Sequence, residues 1–254
     1  MKNKMKKLLF GCFVIATFFM QTSCLGDGEN NSSGYVLGVV EFDYTTLSNM
    51  IYFSDSDYPM YIGSDYSSSI QSGECCYLEY TLYGENNPDV YNTGYYVVAP
   101  SGYSVIPQYS LSSTLTDTTT VLEDELVTNT VLAYNYVKGY LFLSSTHDNV
   151  GDGQENDFDL SYNYNMEPDV ENGNNVYNLY LRVRKTKDGT SPTTTTELLK
   201  TYYIKYFIDN ITALEKNKGN SSIYFRIKYV TKFGDESIST WSTSDNIGIA
   251  ISES

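Results

Sequence analysis

Histidine and tryptophan are almost missing from this chain of 254 residues, which contains one of each, and cysteine occurs only four times. Too few cysteines and histidines are present for a structural zinc site. A Ser-His-Asp site would have to use His147, and no Gly-x-Ser-x-Gly motif accompanies it. P-loop and dinucleotide-binding glycine motifs are also missing. We therefore predict a non-catalytic protein without a cofactor and interpret His147, beside Asp148, as part of a solvated loop.

Basic residues are few as well, 16 against 31 acidic ones, for a net charge of −15. Four of the lysines lie within the first seven residues, so the chain from residue 24 onwards carries a net charge of −19. Such a surface repels phosphate backbones, which makes nucleic acid a poor partner. It also repels anionic lipid, so attachment to a membrane requires a covalent anchor.

The N-terminus has the pattern of an exported protein. A lysine-rich start is followed by the apolar run Leu8–Met20 and by small polar residues directly before Cys24. This order predicts a signal peptide over residues 1–23, and the apolar run is shorter than the about 20 residues of a membrane span. It resembles the lipobox of bacterial lipoproteins, with Cys24 as the lipidated residue, although Gln21 replaces the usual aliphatic residue. An ordinary secretory signal is the alternative.

Two segments without hydrophobic periodicity divide the rest of the chain. Residues 24–34 are rich in Gly, Asn and Ser and are predicted to be a flexible tether. Acidic residues just after the cysteine accompany export to the outer cell surface in similar lipoproteins of gut Bacteroidetes. The Thr-rich residues 108–126 are predicted to be an interdomain linker. Thr118, within an Asp-Thr-Thr pattern, is a candidate O-glycosylation site.

Composition favours an all-β fold, because Tyr, Val, Ile and Thr are plentiful whereas the helix-forming residues Leu, Ala and Glu are few. About five short strands are predicted over residues 35–107, which suits a small OB-like β-barrel. Cys75 and Cys76 lie in one of these strands and should point to opposite faces. One thiol in the core and one outside is the expected state, and a strained vicinal disulfide is the alternative, so their redox state stays open.

Residues 127–254 are predicted to form an immunoglobulin-like antiparallel β-sandwich. Alternating apolar residues predict strands over 131–143, with Gly139 as a bulge, over 177–184 and over 223–229. The same alternation predicts a strand over 202–208, leaving one helical turn at most in residues 212–217. Arg182 is placed on the outer polar row of its strand.

This layout resembles the NigD-like lipoproteins of Bacteroidetes over nearly the whole chain after the signal. The resemblance is carried by Cys24 with the acids that follow it, by the order of barrel and sandwich, and by several strand motifs. These motifs are Gly139-Tyr140-Leu141-Phe142-Leu143, Leu179-Tyr180-Leu181-Arg182-Val183-Arg184, Tyr206-Phe207-Ile208 and Ile223-Tyr224-Phe225-Arg226-Ile227. It implies an outer-membrane lipoprotein, exposed at the cell surface rather than on the periplasmic face, and no catalytic residue.

Two features are candidate ligand sites. The loop 148–159 is dense in oxygen ligands, and Asp148, Asp152 and Asp157 are candidates for calcium, although they miss the EF-hand spacing. The alternative is a solvated acidic turn. Outward tyrosines such as Tyr180 and Tyr224 are candidates for a platform that binds sugar rings, and cross-strand packing is the alternative.

Three functions follow from these expectations. The first is a non-catalytic accessory or binding module whose ligand is a protein or a glycan. The second is a fimbrial or pilus-type subunit completed by a neighbour's strand, which requires an open groove or a removable terminal strand. The third is a glycan-active hydrolase with paired carboxylates in a cleft. The sequence leaves the ligand and the oligomeric state undetermined.

Overall fold

A computed structural model describes residues 31–54, 57–113, 120–191, 195–234 and 239–251. The fold is all-β, as predicted, with a small closed barrel followed by a large curled sheet. The helices of the first unit are single turns, α1 (Ser64–Ser67) and α2 (Val90–Thr93), and a 3-10 turn lies at Gly84–Asn86.

Five strands close the N-terminal barrel in the order β1-β2-β3-β5-β4. They are β1 (Asn31–Asp43), β2 (Ser48–Tyr52), β3 (Met60–Tyr61), β4 (Cys75–Tyr83) and β5 (Tyr96–Val105). The inward side chains are those of the alternating apolar positions, including Val36, Val40, Ile51, Cys76 and Leu78. The OB-like barrel predicted from the sequence is thereby confirmed.

Ten strands form the C-terminal sheet, and one helix packs on it. The strands are β6 (Gln108–Ser112), β7 (Thr128–Val137), β8 (Tyr140–His147), β9 (Glu155–Tyr162), β10 (Asp169–Glu171), β11 (Asn174–Lys187), β12 (Thr196–Tyr203), β13 (Ser222–Phe233), β14 (Ser239–Thr243) and β15 (Ile247–Ala250). The helix is α3 (Lys205–Asn217), between β12 and β13. The order is β14-β13-β11-β9-β6-β12-β8-β7, with β10 beside β11 and β15 beside β13. The sheet curls around one apolar core that includes Leu141, Leu179 and Phe225.

This sheet is mixed rather than purely antiparallel. β11 runs parallel to β13, and β6 runs parallel to both β12 and β9. Parallel neighbours need long crossover connections, and β12 with α3 provides the one between β11 and β13. Alternation along a strand determines which face is buried but not which strand pairs with it. The sequence therefore did not distinguish a mixed sheet from an antiparallel one.

The predicted linker over 108–126 differs from the structure, because β6 lies within it and occupies a central position in the sheet. Tyr109 and Leu111 of this strand pack partly against the core. Two apolar residues in five are too short a pattern to stand out from a Thr-rich segment. The later part of the segment, residues 120–126, follows β11: the Leu126 amide donates to the Val183 carbonyl in a short bridge at the strand's edge, and the Thr120 carbonyl accepts from the Arg182 side chain on the outer face.

Two local predictions in the C-terminal unit were wrong. The strand predicted over 202–208 ends at Tyr203, and α3 follows, with Phe207, Ile208 and Ile211 buried on one helical face. Residues 131–143 are two strands rather than one with a bulge, because Lys138 (φ 52°) and Gly139 (φ 88°) form a two-residue hairpin turn.

A shared apolar cluster joins the two units. It contains Val39 and Cys75 from the barrel, Ile106 directly after β5, and Val137 and Phe142 from the sheet. All five side chains are at most 4 % exposed. The ammonium of Lys138 adds to this contact, lying 4.1 Å from the centroid of the Tyr52 ring and 3.2 Å from Glu41 Oε2.

Candidate functional site

A groove of about 630 Å³ lies between β7 and β15, and we call it the edge groove. Its floor includes half-buried apolar side chains that also touch the core, namely those of Ala133, Tyr136, Ile247 and Ile249. Ser54 of the barrel lines one part of it. The groove is therefore apolar inside and bounded by backbone on both sides.

Both walls of the edge groove are sheet edges. Among the described residues, β7 pairs only with β8, and β15 pairs only with β13. Register shifts at Thr128/Thr130 and Ala133/Asn135 interrupt β7, and the residues Thr130–Ala133 between them pair regularly with β8. Natural sheets protect such edges with charged residues and proline, and also with bulges and short strands. β7 is bulged and β15 has only four residues, but neither strand contains a charged residue or a proline.

The described side chains that line the edge groove are mostly apolar or uncharged. Asp245 is the one charged residue among the described residues that line it. Leu132, with 51 % of its side chain exposed, stands at the rim. The described lining contains no histidine, lysine or second carboxylate that could act as a base with Asp245, and the neighbouring Ser244 hydroxyl donates to the Asp245 main-chain carbonyl at 2.9 Å. The arrangement suits binding of an apolar, extended ligand.

His147 does not lie in a solvated loop, as the sequence predicted, but ends β8 with no exposed surface. Its Nδ1 lies 3.1 Å from the Val127 carbonyl, which can only accept, so this nitrogen carries the proton and Nε2 accepts from Ser145 Oγ at 2.8 Å. Burial lowers the pKa of the imidazole. Ser145 is 3 % exposed, so substrate has no access to the pair and its role is structural.

The acidic loop does not gather the calcium candidates. Asp148 accepts a hydrogen bond from Thr195 Oγ1 at 2.9 Å, and Asp157 forms an ion pair with Arg184 at 3.2 Å. Asp152 instead forms a backbone bridge with Thr190. Within the described ranges, no group of three His, Cys, Asp or Glu side chains is placed to hold a metal ion.

Cys75 and Cys76 point to opposite faces of β4, and both faces are buried, which corrects the expectation of one outer thiol. Cys75 lies in the cluster between the two units, whereas Cys76 lies in the barrel core. Both are free thiols with no exposed surface. Burial raises the pKa to about 11 for Cys75 and to about 12 for Cys76. The thiolates needed for redox chemistry are therefore disfavoured.

The two candidate tyrosines lie in different surroundings. Tyr180 of β11 lines a pocket of about 260 Å³, and its ring makes an edge contact with Trp241 at 5.7 Å. Tyr224 of β13 does not line this pocket and packs beside Gly248 of β15. They do not form one platform.

Buried charges at two places in the C-terminal unit escaped the sequence analysis. Arg182, placed on the outer polar row, is 2 % exposed because residues 120–126 cover it, and its guanidinium pairs with Glu125. Glu215, in the last turn of α3, is also 2 % exposed and accepts hydrogen bonds from Tyr177 Oη at 2.6 Å and Lys218 Nζ at 2.7 Å. Neither pairing is local enough for sequence patterns to reveal, apart from Lys218 three residues after Glu215.

The lipidation candidate Cys24 and the O-glycosylation candidate Thr118 lie outside the described residues. No helix in the described part of the chain is long and apolar enough to cross a bilayer.

Residues 28–104 match the family described as "Lipoprotein OB domain". This match covers the barrel and supports a lipoprotein, and no curated protein matches the chain. An uncharacterised protein from Parabacteroides merdae has the same fold over 87 % of this chain and all of its own, with a TM-score of 0.76 and 23 % identity. A candidate lipoprotein from Bacteroides fragilis (TM-score 0.54, 12 % identity) covers 87 % of this chain and 99 % of its own. A protein of unknown function from Bacteroides vulgatus (TM-score 0.51, 11 % identity) covers 84 % and 90 %.

Proposed function

We propose that this protein is a non-catalytic outer-membrane lipoprotein, related to the NigD-like family, that binds an extended segment of a protein partner in the edge groove. Cys24 carries the lipid, and the tether presents the two β units at the cell surface. The match of residues 28–104 to a lipoprotein family supports the anchor. The two facing sheet edges, which contain no charged residue and no proline, are the observation that supports the ligand class.

Strand addition explains how such a groove binds. An extended peptide gains main-chain hydrogen bonds from each sheet edge that it joins, and its alternate side chains enter the apolar floor. Thr130–Ala133 on one side and Ile247–Ala250 on the other present regular strands of similar length. The partner segment should be apolar at alternate positions. It should not be acidic, because Asp245 and the net charge of the chain would repel it.

Peptide binding tests this function directly. Short peptides with alternating apolar residues should bind the full chain, and N-methylation of their backbone amides should abolish binding, because main-chain hydrogen bonds supply the affinity. Leu132→Lys should weaken binding by about tenfold or more, since it puts a charge on the edge. Leu214→Lys, on the exposed side of α3, is the matched control. Binding unaffected by Leu132→Lys would contradict the proposal.

The anchor has its own test. Mass spectrometry of the mature N-terminus should find a lipid on Cys24, and Cys24→Ser should release the protein from membranes. Protease treatment of intact cells should degrade the wild-type protein if it faces outwards. An unmodified Cys24 in membrane-free protein would disprove the anchor without affecting the groove.

A polymerising structural subunit is a second candidate, because β15 is short, lies at the sheet edge and pairs only with Ser222–Phe225 among the described residues. Such a strand can be replaced by the equivalent strand of a neighbour. Concentrated protein should then form oligomers that a peptide of residues 246–251 disperses. If the protein remains monomeric at every concentration, the subunit function is contradicted and binding of a protein partner in the edge groove is the function that stands.

A further inference from the structure

The C-terminal sheet has a gap beside β11. On the side opposite β13, β10 pairs with Asn174–Val176 and β9 pairs from Arg182 onwards. Between these two pairings, residues 177–181 have no strand partner on that side among the described residues. The loop 163–168 passes over the gap, and the pocket of about 260 Å³ lies there. We call it the gap pocket.

The gap pocket has one aromatic wall, Tyr180, and is otherwise lined mostly by polar groups. Tyr177 and Phe207 lie beneath it in the core, and because each is only 1 % exposed they offer a ligand almost no ring surface. Tyr180 forms a side wall, and its ring is held by Trp241 and by the Lys228 ammonium, 5.6 Å from the ring centroid. A ligand in this pocket meets ring surface as well as hydrogen-bonding groups.

Of the two carboxylate oxygens of Asp169, at the rim, one accepts hydrogen bonds from the protein and the other is free to bind a ligand. Its Oδ2 accepts from Arg226 at 2.6 Å, from Lys228 at 3.1 Å and from Asn178 at 3.1 Å. Its Oδ1 has no protein partner among the described residues. Burial raises the pKa of this carboxyl, but hydrogen bonds from Lys228, Asn178 and Arg226 outweigh that effect and lower it overall. The free oxygen is thus an acceptor in an ionised group whose position is fixed.

Amide donors accompany this acceptor. Asn178 accepts from Arg226 Nε at 2.9 Å and gives one N–H to Asp169, which leaves its second N–H for a ligand. Asn163, exposed on the loop, uses its oxygen for the Asn165 amide and retains its NH2 group. A ligand must therefore both donate to a carboxylate and accept from amides.

Hydroxyl groups do both, and an aromatic wall suits the apolar face of a sugar ring. Anionic ligands are opposed by Asp169, by Glu167 and by the net charge of the chain. We propose that the gap pocket binds one residue of a neutral glycan. This site is separate from the edge groove and stands whether or not the groove binds peptide.

Saturation-transfer NMR with the full chain and a panel of neutral oligosaccharides tests this assignment, with the matching uronic-acid oligosaccharides as the anionic arm. We expect a neutral sugar to bind and its uronic-acid counterpart not to bind. Tyr180→Ala should weaken binding by about tenfold, because the wall is lost. Tyr224→Ala, on the same sheet face but outside the pocket, should leave binding unchanged.

Further variants keep the test valid if Tyr180→Ala fails to fold. Tyr180→Phe keeps the ring and should retain most of the binding, whereas Asn163→Ala removes an exposed donor and should weaken it. Absence of binding by every neutral sugar in the panel would overturn the proposal. So would binding that Tyr180→Ala and Asn163→Ala leave intact, or that the uronic-acid arm shares equally.

Discussion

Arg182 and Glu125 form a two-point ion pair that solvent does not reach. Arg182 Nε donates to Glu125 Oε1 at 2.6 Å, and Nη2 donates to Oε2 at 2.7 Å, with 1 % and 0 % of the two side chains exposed. Nη2 also donates to the Thr120 carbonyl at 2.5 Å. The pair therefore fixes residues 120–126, which connect the central strand β6 to β7, on the outer face of β11.

Removing one member of this pair should destabilise the fold strongly, because the other charge is left buried without a partner. We expect Arg182→Met or Glu125→Gln to lower the free energy of unfolding by about 3–5 kcal/mol, measured by urea denaturation. Arg184→Met, two residues along the same strand, breaks the exposed pair with Asp157 and should cost at most about 1 kcal/mol. An equal loss of unfolding free energy in Arg182→Met and Arg184→Met would show that the buried pair contributes no more to stability than the exposed one.

The free energy of unfolding should also decrease at low pH, because Glu215 becomes protonated. Burial opposes its charge, but hydrogen bonds from Lys218, Tyr177, Asn220 and Asn175 together lower its pKa to about 2, from 4.5 in the unfolded chain. A carboxyl whose pKa is lower in the folded state stabilises above its unfolded pKa, and this contribution is lost as the pH falls from about 4.5 to about 2. Its size is on the order of 3 kcal/mol.

The variant Glu215→Gln isolates this contribution. Other carboxyls titrate equally in both proteins, so the difference in unfolding free energy between wild type and variant should shrink as the pH falls through that window. Urea denaturation at several pH values measures it. A difference that stays constant between about pH 5 and pH 2 would contradict the lowered pKa.

The sequence predicted what depends on local alternation. The barrel strand with Cys76 and Leu78, and the central strands with Leu179 and Phe225, have their predicted faces inside. Even Arg182 is on the predicted face. It is buried because residues 120–126 cover that face, and a covering segment far away in the chain leaves no periodic signal.

The missed features depend on contacts between distant segments. The segment 202–208 alternates as in a strand, with apolar side chains at Tyr202, Ile204, Tyr206 and Ile208. Phe207 and Ile211 nevertheless supply the apolar face of a helix, and tertiary packing decides between strand and helix.

The edge groove needs β7 and β15 to face each other. Their sequences give no sign of this except that both lack charge and proline, which is the one signal that could have indicated an interacting edge.

The hairpin glycine Gly139 should tolerate substitution worse than an ordinary turn glycine. Its φ is +88°, and an added Cβ would lie 2.8 Å from Tyr203 Cε2 and 2.9 Å from Lys205 Cβ. Gly173 has a similar φ of +83° with nothing within 4 Å. We expect Gly173→Ala to cost about 1 kcal/mol from backbone strain and Gly139→Ala on the order of 2–3 kcal/mol from strain plus crowding. Thermal and urea denaturation of the two variants measure these losses of unfolding free energy. Equal losses would show that Tyr203 and Lys205 move aside without cost.

Phe142 should couple the stability of the barrel to that of the sheet. Its ring is fully buried between the units with Val39, Cys75 and Ile106, so Phe142→Ala should cost about 3–5 kcal/mol. Phe225→Ala removes an equally buried ring, but from the core of the C-terminal sheet alone. Hydrogen exchange distinguishes them, because the first variant should lose protection in β1 and β4 as well as in β8, whereas the second should leave β1 and β4 protected. Unchanged protection of β1 and β4 in Phe142→Ala would mean that the barrel is stable without this contact, and that the two units act as independent modules.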